Sequence, residues 1–189
     1  MANIKDQNGW WGNKYGIQLG IKAYDVVPKL DLGIEYNAVR PYTYTHYIAI
    51  DTAIGNKTVS SYSHYNQPLA HPLGANFREV IFTLNYSFSP KLKTNAAFFA
   101  WNKGLDATRE NNGGNILINY QSRGKEFDNY IGQGIENRVM QMRGQLSYEF
   151  FPNMFADLNA LYRKQTNLPD TFLIGISFRA NSATQNFDF

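Results

Sequence analysis

Apolar and polar residues alternate along most of this chain with a period of two. Between residues 14 and 23, the odd positions are Tyr15, Ile17, Leu19, Ile21 and Ala23, and the even positions are polar or glycine. Successive side chains of a β-strand point to opposite faces of a sheet. The pattern therefore predicts a strand with one apolar face and one polar face.

Further segments show the same alternation, with apolar residues at their even positions. They are residues 30–38, 80–88, 140–150, 154–162 and 172–180. One more predicted strand, residues 91–101, has apolar residues on both faces. No segment has the apolar periodicity of an amphipathic helix, so we predict an all-β fold.

Short and long connections alternate between these predicted strands. The turns at residues 25–29, 88–91 and 150–153 contain proline, whereas residues 39–77 and 103–137 are long connections. Tight turns at one end and long loops at the other are typical of outer-membrane β-barrels. We therefore predict an antiparallel transmembrane β-barrel, a partial one of about 7–8 strands, with both long segments as extracellular loops.

A soluble β-sandwich is the alternative fold, because its strands alternate in the same way. The loop asymmetry favours the barrel, and so do mixed charges opposite the apolar faces, such as Lys22, Glu35 and Arg143. The two folds differ in one observable. A sandwich packs its apolar faces against each other, whereas a barrel leaves them outside, toward lipid.

The odd number of predicted strands raises the question of closure, because single-chain bacterial barrels normally have an even number. A further strand within a long loop, at residues 42–50 or 115–121, is one answer. The other is that residues 1–189 are the C-terminal part of a larger barrel rather than a whole barrel domain. We expect the second, with residues 9–12, "GWWG", at the end of an outer loop.

Composition excludes several kinds of chemistry. The chain has no cysteine, which excludes disulfides, thiolate metal sites and cysteine nucleophiles. Its net charge of +3 comes from Lys and Arg spread along the chain without a basic cluster, so we predict no nucleic-acid partner. No nucleophile elbow or phosphate-binding loop is recognisable. We predict no catalytic site, no metal, no cofactor and no enzymatic activity.

One segment concentrates candidate ligand-binding residues, "SYSHYNQPLAHPLGANFRE" at residues 61–79. Its prolines and glycine make it stiff, and a stiff loop holds side chains at low entropic cost. Amides and imidazoles offer donors and acceptors to sugar hydroxyls, and a tyrosine ring offers a flat face to sugar C–H groups. The predicted glycan-binding residues are His64, Tyr65, Asn66, Gln67, His71, Asn76 and Arg78.

Structural roles are the alternative for these side chains. The histidines could bond to loop backbone or fill the barrel interior. They could also bind a metal with His46 as a third ligand, but no acidic residue stands at a recognisable spacing. Arg78 and Glu79 are expected to pair with each other.

The same segment, followed by an alternating strand, resembles the Wzi-type capsule-assembly barrels. It is closer still to their relatives in gliding Bacteroidota, named RemB. The resemblance would cover most of the chain, as the C-terminal portion of a longer protein. It implies a non-enzymatic barrel in the bacterial outer membrane that binds or anchors surface or capsular polysaccharide.

The resemblance also implies a role in capsule assembly or gliding motility. The expected partners are outer-membrane lipid, the polysaccharide, and a gliding or surface-protein complex. Two other functions stay open at this point. The chain could form an outer-membrane pore for small solutes, or it could be a soluble β-sandwich binding module.

Overall fold

A computed structural model describes residues 8–46, 62–108 and 110–181. These residues contain nine strands and one short 3-10 helix, Tyr120–Ser122. The strands are β1 (Gly16–Ala23), β2 (Leu30–Val39), β3 (Ser63–His64), β4 (Gln67–Pro68), β5 (Phe77–Ser87), β6 (Leu92–Leu105), β7 (Ile135–Phe151), β8 (Met154–Gln165) and β9 (Thr171–Ala180). No helix in these ranges is long and apolar enough to cross a membrane.

Seven strands form one antiparallel sheet in the order β1-β2-β5-β6-β7-β8-β9, and β3 pairs with β4 in a small hairpin. Apart from the hairpin, neighbours in the sheet are neighbours in the chain. The all-β prediction is confirmed, and all the strands predicted from alternation are present. The ranges that the structure describes contain neither a closed barrel nor a second large sheet.

The candidate further strand at residues 115–121 is not present, because side chains there bind nearby backbone. Asn115 Oδ1 accepts the backbone N–H of Leu117, and Asn119 Oδ1 accepts that of Gln121. Such local bonds favour turns over ladder pairing. In the other candidate, residues 42–44 form a turn, and residues 47–50 lie outside the described residues.

The chain divides into two compact units. Unit 1 comprises Met1–Leu19, Glu35–Val80 and Ala100–Val139, and unit 2 comprises Gly20–Ile34, Ile81–Phe99 and Met140–Phe189. The buried apolar cluster of unit 1 is small and consists of Val39, Ala75, Phe77 and Ile116. A cluster of this size leaves much of the stability of unit 1 to polar contacts.

In unit 2, the register of β8 and β9 separates apolar from polar residues. Leu158 pairs with Ile176 on one face, and Asp157 pairs with Ser177 on the other. Ile176 is 75% exposed and Phe178 is 79% exposed, whereas Asp157 is only 3% exposed. This burial is the reverse of that in a soluble domain, where large apolar side chains are inside.

Unit 1 shows the same reversal on its strand residues. Leu19 in β1 is 65% exposed, and Tyr36 in β2 is also exposed. The polar residues Asn37 and Glu79 are buried, and the Asn37 amide donates to Glu79 Oε2 at 3.1 Å. Leu19 and Tyr36 are therefore not core residues, whereas Val39 at the end of β2 belongs to the buried cluster.

Asn76 is the polar centre of unit 1. It is fully buried and has a φ of 60°, a left-handed conformation that asparagine tolerates better than most residues. Its Nδ2 donates to the backbone carbonyls of Gly104, Asn112 and Gln133, and its Oδ1 accepts the N–H of Gly132 at 2.7 Å. One side chain thus joins its own segment of backbone to three others.

Glycine is required where these segments approach each other. A Cβ atom at Gly104 would lie 1.8 Å from the Gln133 carbonyl oxygen and 2.4 Å from Asn76 Nδ2. A clash with a backbone atom cannot be relieved by moving a side chain. The close contact between β6 and the segment before β7 therefore depends on Gly104.

Replacing Asn76 with aspartate tests this centre. Asn76→Asp places a carboxylate against three carbonyl oxygens, and an unpaired buried charge costs about 3–5 kcal/mol. We expect the free energy of unfolding in urea to fall by about that amount. Asn167→Asp is the matched control, because Asn167 has a φ of 61° but is exposed. Equal small effects of both substitutions would show that Asn76 is not a structural centre.

Candidate functional site

The β3–β4 hairpin carries most of the candidate ligand-binding residues. Tyr65 and Asn66 connect the two strands with positive φ angles of 47° and 61°, the conformation of a type I′ turn. Tyr65 is 88% exposed, and the His64 ring contacts it edge-on with a centroid distance of 4.4 Å. His64 pairs with Gln67 across the hairpin. The turn thus presents four polar or aromatic side chains to solvent.

His71 fixes the end of this segment to β5. Its Nε2 lies 3.1 Å from Glu79 Oε2, and its Nδ1 accepts the backbone N–H of Leu73 at 3.2 Å. The ring also stacks on Phe77 at 4.5 Å. Because both ring nitrogens are engaged, His71 acts as an anchor and is not available as a proton acceptor for a substrate.

A cavity of about 470 Å³ adjoins the hairpin in unit 1. It is lined by parts of residues 66–74, residues 103–106 and residues 114–117, and we name it the loop cleft. Its volume is within the usual range of small-molecule sites, about 300–1,000 Å³. The stiff proline-containing segment therefore borders a space large enough for a sugar unit.

The loop cleft contains one cation and one anion. Lys103 Nζ donates to the Leu73 carbonyl at 2.5 Å, and Asp106 Oδ1 accepts the backbone N–H of Asn112 at 2.6 Å. Asn66 and Asn115 add amide groups to the lining. Donors and acceptors of both signs suit an uncharged, hydroxylated ligand better than an ion of either sign.

Tyr42 supports the segment that leads into the 114–117 lining. Its hydroxyl donates to the Asn111 carbonyl at 2.6 Å, and its backbone N–H donates to the Gly113 carbonyl at 3.0 Å. Burial, with the negative charge of Asp106, raises the pKa of Tyr42 to about 12. The neutral phenol is therefore the form that the fold stabilises.

An aromatic cluster joins residues 8–14 to residues 120–129. Trp11 stacks on Tyr120 at 4.7 Å, and the Arg123 guanidinium lies 4.5 Å from the Trp11 ring centroid. The indole N–H groups of Trp10 and Trp11 both donate to Glu126 Oε1. Hydrogen bonds from Arg123 and then from Trp10 lower the pKa of the Glu126 carboxyl. The cluster attaches the two segments to each other.

The seven predicted ligand-binding residues fall into two groups. His64, Tyr65, Asn66 and Gln67 are exposed together on the hairpin, and Asn66 also lines the loop cleft. The other three make internal contacts, which are the His71 and Asn76 bonds described above and a bond from Arg78 to the Ile131 carbonyl at 3.2 Å. Ligand contact by all seven stays a prediction, and the geometry favours the first group.

Two expectations about charged groups can be compared with the structure. Arg78 and Glu79 do not pair with each other, because Arg78 binds Ile131 and Glu79 binds His71 and Asn37. Across the three described ranges, no cluster of three or more His, Asp or Glu residues could hold a metal ion.

Sequence reasoning missed Lys103, Asp106 and Asn115 as lining residues of the loop cleft. Lys103 and Asp106 stand near the end of β6, where a strand passes into a long connection. Charged residues at such a position are a weak signal for a site. Their proximity to the hairpin depends on contacts between distant parts of the chain, which the alternation pattern does not contain.

Comparison with known proteins does not assign a family. No family model, curated protein or solved structure matches this chain. The resemblance to Wzi-type and RemB-type barrels stays a prediction.

Tyr42→Phe tests the support of the loop cleft. Because folding raises the Tyr42 pKa from 10.0 to about 12, its stabilising effect is complete below pH 10 and is lost as the pH rises through 12. We expect the free energy of unfolding of the unsubstituted chain to fall more steeply across this window than that of Tyr42→Phe. Phenolate absorbance should lose one late-titrating group.

Tyr24→Phe is the control for this titration, because Tyr24 is exposed. It removes an exposed hydroxyl and should leave the late phase unchanged. Identical titration curves for the two variants would contradict the support role of Tyr42.

Proposed function

We propose that this chain is part of an outer-membrane β-barrel that binds surface polysaccharide without reacting with it. The observation that carries the membrane part is the reversed burial of the sheet. Large apolar side chains are exposed, and amides and carboxylates on the opposite face are buried. Outer-membrane barrels have this polarity, with an apolar exterior and a polar interior.

The size of the exposed apolar surface supports this proposal. Soluble monomers rarely expose contiguous apolar patches larger than a few hundred square ångströms. On β9 alone, Phe172, Ile174, Ile176 and Phe178 are all exposed, each by more than half. Moving one such side chain out of water stabilises a protein by about 1.5–3 kcal/mol, and lipid can supply that environment.

The charges on the opposite face also fit a barrel interior. Asp157 is paired with Arg179 at 3.2 Å, and Glu79 is bonded to Asn37 and His71. Buried charges need such partners, because an unpaired one is strongly destabilising. These contacts let the polar face lie inside a closed structure.

The polysaccharide part of the proposal is supported by the hairpin and the loop cleft. Exposed Tyr65 offers a ring for stacking, while Asn66, Asn115, Lys103 and Asp106 offer hydrogen bonds in a space of about 470 Å³. This arrangement suits binding. His71 is not available as a base, because both of its ring nitrogens are engaged. Anchoring of a capsular or gliding-related polysaccharide is the function that we propose, at the bacterial outer membrane.

Ile176→Arg tests the membrane part. At the middle of a bilayer, an arginine on the lipid face costs about 2–4 kcal/mol, and Ile176 lies in the central part of its ladder with β8. We expect the folded yield in phosphatidylcholine vesicles to fall, as measured by protease protection and by heat-modifiable gel mobility.

Ser177→Arg is the matched control, one residue away on the opposite face and beside Asp157. It should leave the folded yield close to that of the unsubstituted chain. A chain that is monodisperse without detergent, and in which Ile176→Arg changes nothing, would rule out the membrane location.

The double variant Tyr65→Ala/Asn66→Gly tests the polysaccharide part. Glycine keeps the positive φ of the turn, so the variant removes a ring and an amide while the hairpin is preserved. We expect the affinity of the chain for an oligosaccharide that the unsubstituted chain binds to fall about tenfold, since each lost contact contributes about 0.5–1.5 kcal/mol. Titration against a panel of labelled neutral and acidic oligosaccharides measures this.

Asn167→Gly is its control, because it removes an exposed amide from another turn with positive φ. Binding that is unchanged in the double variant would remove the hairpin from the site. This outcome would leave the membrane result standing, since the two experiments use different residues.

A further inference from the structure

Unit 2 contains a cavity of its own, separate from the loop cleft. It has a volume of about 900 Å³ and receives residues from β6, β7, β8 and β9. We name it the polar groove, and its defining residues are Asn95, Arg143, Gln145, Asn159, Leu173 and Gly175. It shares no lining residue with the loop cleft.

Arg143 is the charged residue of the polar groove. Its guanidinium lies 5.3 Å from the centroid of the Phe99 ring, a cation–π contact that restrains the side chain. Within the described ranges, no carboxylate forms an ion pair with Arg143. Arg179 differs in this respect, because its charge is balanced by Asp157 at 3.2 Å.

Three amides line the same cavity as Arg143, and two are oriented by neighbouring side chains. Asn95 Nδ2 donates to Asn85 Oδ1 at 2.5 Å, and Asn159 Nδ2 donates to Ser177 Oγ at 3.2 Å. These bonds use the nitrogen atoms and leave the carbonyl oxygens as acceptors for hydroxyl groups. Gln145 contributes an amide with both a donor and an acceptor.

The floor of the polar groove is open because of a glycine. Gly175 pairs with Asn159 across the β8–β9 ladder, and a Cβ atom at Gly175 would meet nothing within 4 Å. The neighbouring Leu161–Leu173 pair provides apolar surface beside this space. A ring with one polar edge and one C–H face matches such a surface.

We infer that the polar groove binds an acidic sugar through its carboxylate. The planar guanidinium of arginine matches a carboxylate with two parallel hydrogen bonds. A single cation balances one carboxylate, whereas it leaves half of the charge of a phosphate dianion uncompensated. The amides bind ring hydroxyls, and the leucines contact the ring carbons.

The polar groove is a second ligand site, formed by different residues from those of the polysaccharide site proposed at the hairpin. Failure of the Tyr65→Ala/Asn66→Gly test leaves it unaffected, because no residue is shared. We expect the polar groove to prefer acidic sugars over neutral ones. The loop cleft should lack this preference, since it contains charges of both signs.

Calorimetric titration of the full chain in non-ionic detergent tests the inference. The probes are trigalacturonate and the neutral maltotriose. We expect trigalacturonate to bind and maltotriose to bind at least about tenfold more weakly, because a charged hydrogen-bonded pair is worth that factor or more. Equal affinities would overturn the assignment of an acidic ligand.

Arg143→Gln should weaken trigalacturonate binding at least about tenfold. Arg138→Gln is the matched control on the same strand, because Arg138 is paired with Glu136 and does not line the polar groove. It should leave the affinity within about twofold of the unsubstituted chain. An unchanged affinity in Arg143→Gln, or an equal loss in both variants, would overturn the role of Arg143.

Gly175→Leu places an apolar side chain in the polar groove without removing charge. It should weaken trigalacturonate binding, and folded yield in detergent provides the check that the strand still forms. Unchanged affinity would place the ligand elsewhere. Inorganic phosphate is the remaining probe, and competition by phosphate as strong as that by galacturonate would show a general anion site and overturn the assignment to a sugar.

Discussion

The sheet exposes large apolar side chains and buries polar ones, and the rest of the structure depends on this reversed burial. Isoleucine, leucine and phenylalanine side chains are exposed along the strands, whereas Asn37, Glu79 and Asp157 are buried. Such a sheet gains little from the hydrophobic effect in water, because the apolar surface stays in contact with solvent. Lipid on the apolar face would restore that contribution, which is why the environment of the sheet decides its stability.

A consequence of reversed burial is that hydrogen bonds have to organise the interior. Unit 1 has a small apolar cluster, but Asn76 joins four backbone segments, and Asn129 donates to the Gly9 carbonyl while its own carbonyl accepts from Gln133. In a low-dielectric interior these bonds are strong, and each partner left alone is costly. The polar network therefore specifies one arrangement of the long connections, and the loop cleft inherits its shape from that arrangement.

The strands could be predicted from the sequence because alternation is a local property. The two-residue period at 172–180, for example, appears as β9 with little change of bounds. The absence of a strand at residues 115–121 could not be predicted from hydrophobicity, since Asn115 and Asn119 determine it through bonds to backbone. Local polar bonds outweigh apolar periodicity over so short a stretch.

The candidate site was predictable only in part, for a related reason. Asn66 and Asn76 look alike in the sequence, each an amide in a loop with proline or glycine nearby, yet one is exposed and the other is buried. The difference arises from Gly104 and Gln133, which are 28 and 57 residues from Asn76.

The polar groove also consists of residues that are far apart in the sequence. Its four strands contribute residues from Asn95 to Gly175, and their register decides which amides face Arg143. A lone arginine in the alternation pattern gives no sign of whether a carboxylate balances it. Among the described residues, Arg179 on β9 has an ion-pair partner on the neighbouring strand β8, Asp157, whereas Arg143 has none. Whether an arginine on the polar face has a carboxylate partner thus depends on how the strands pair. A paired arginine forms a structural ion pair, whereas an arginine without such a partner suits an acidic ligand.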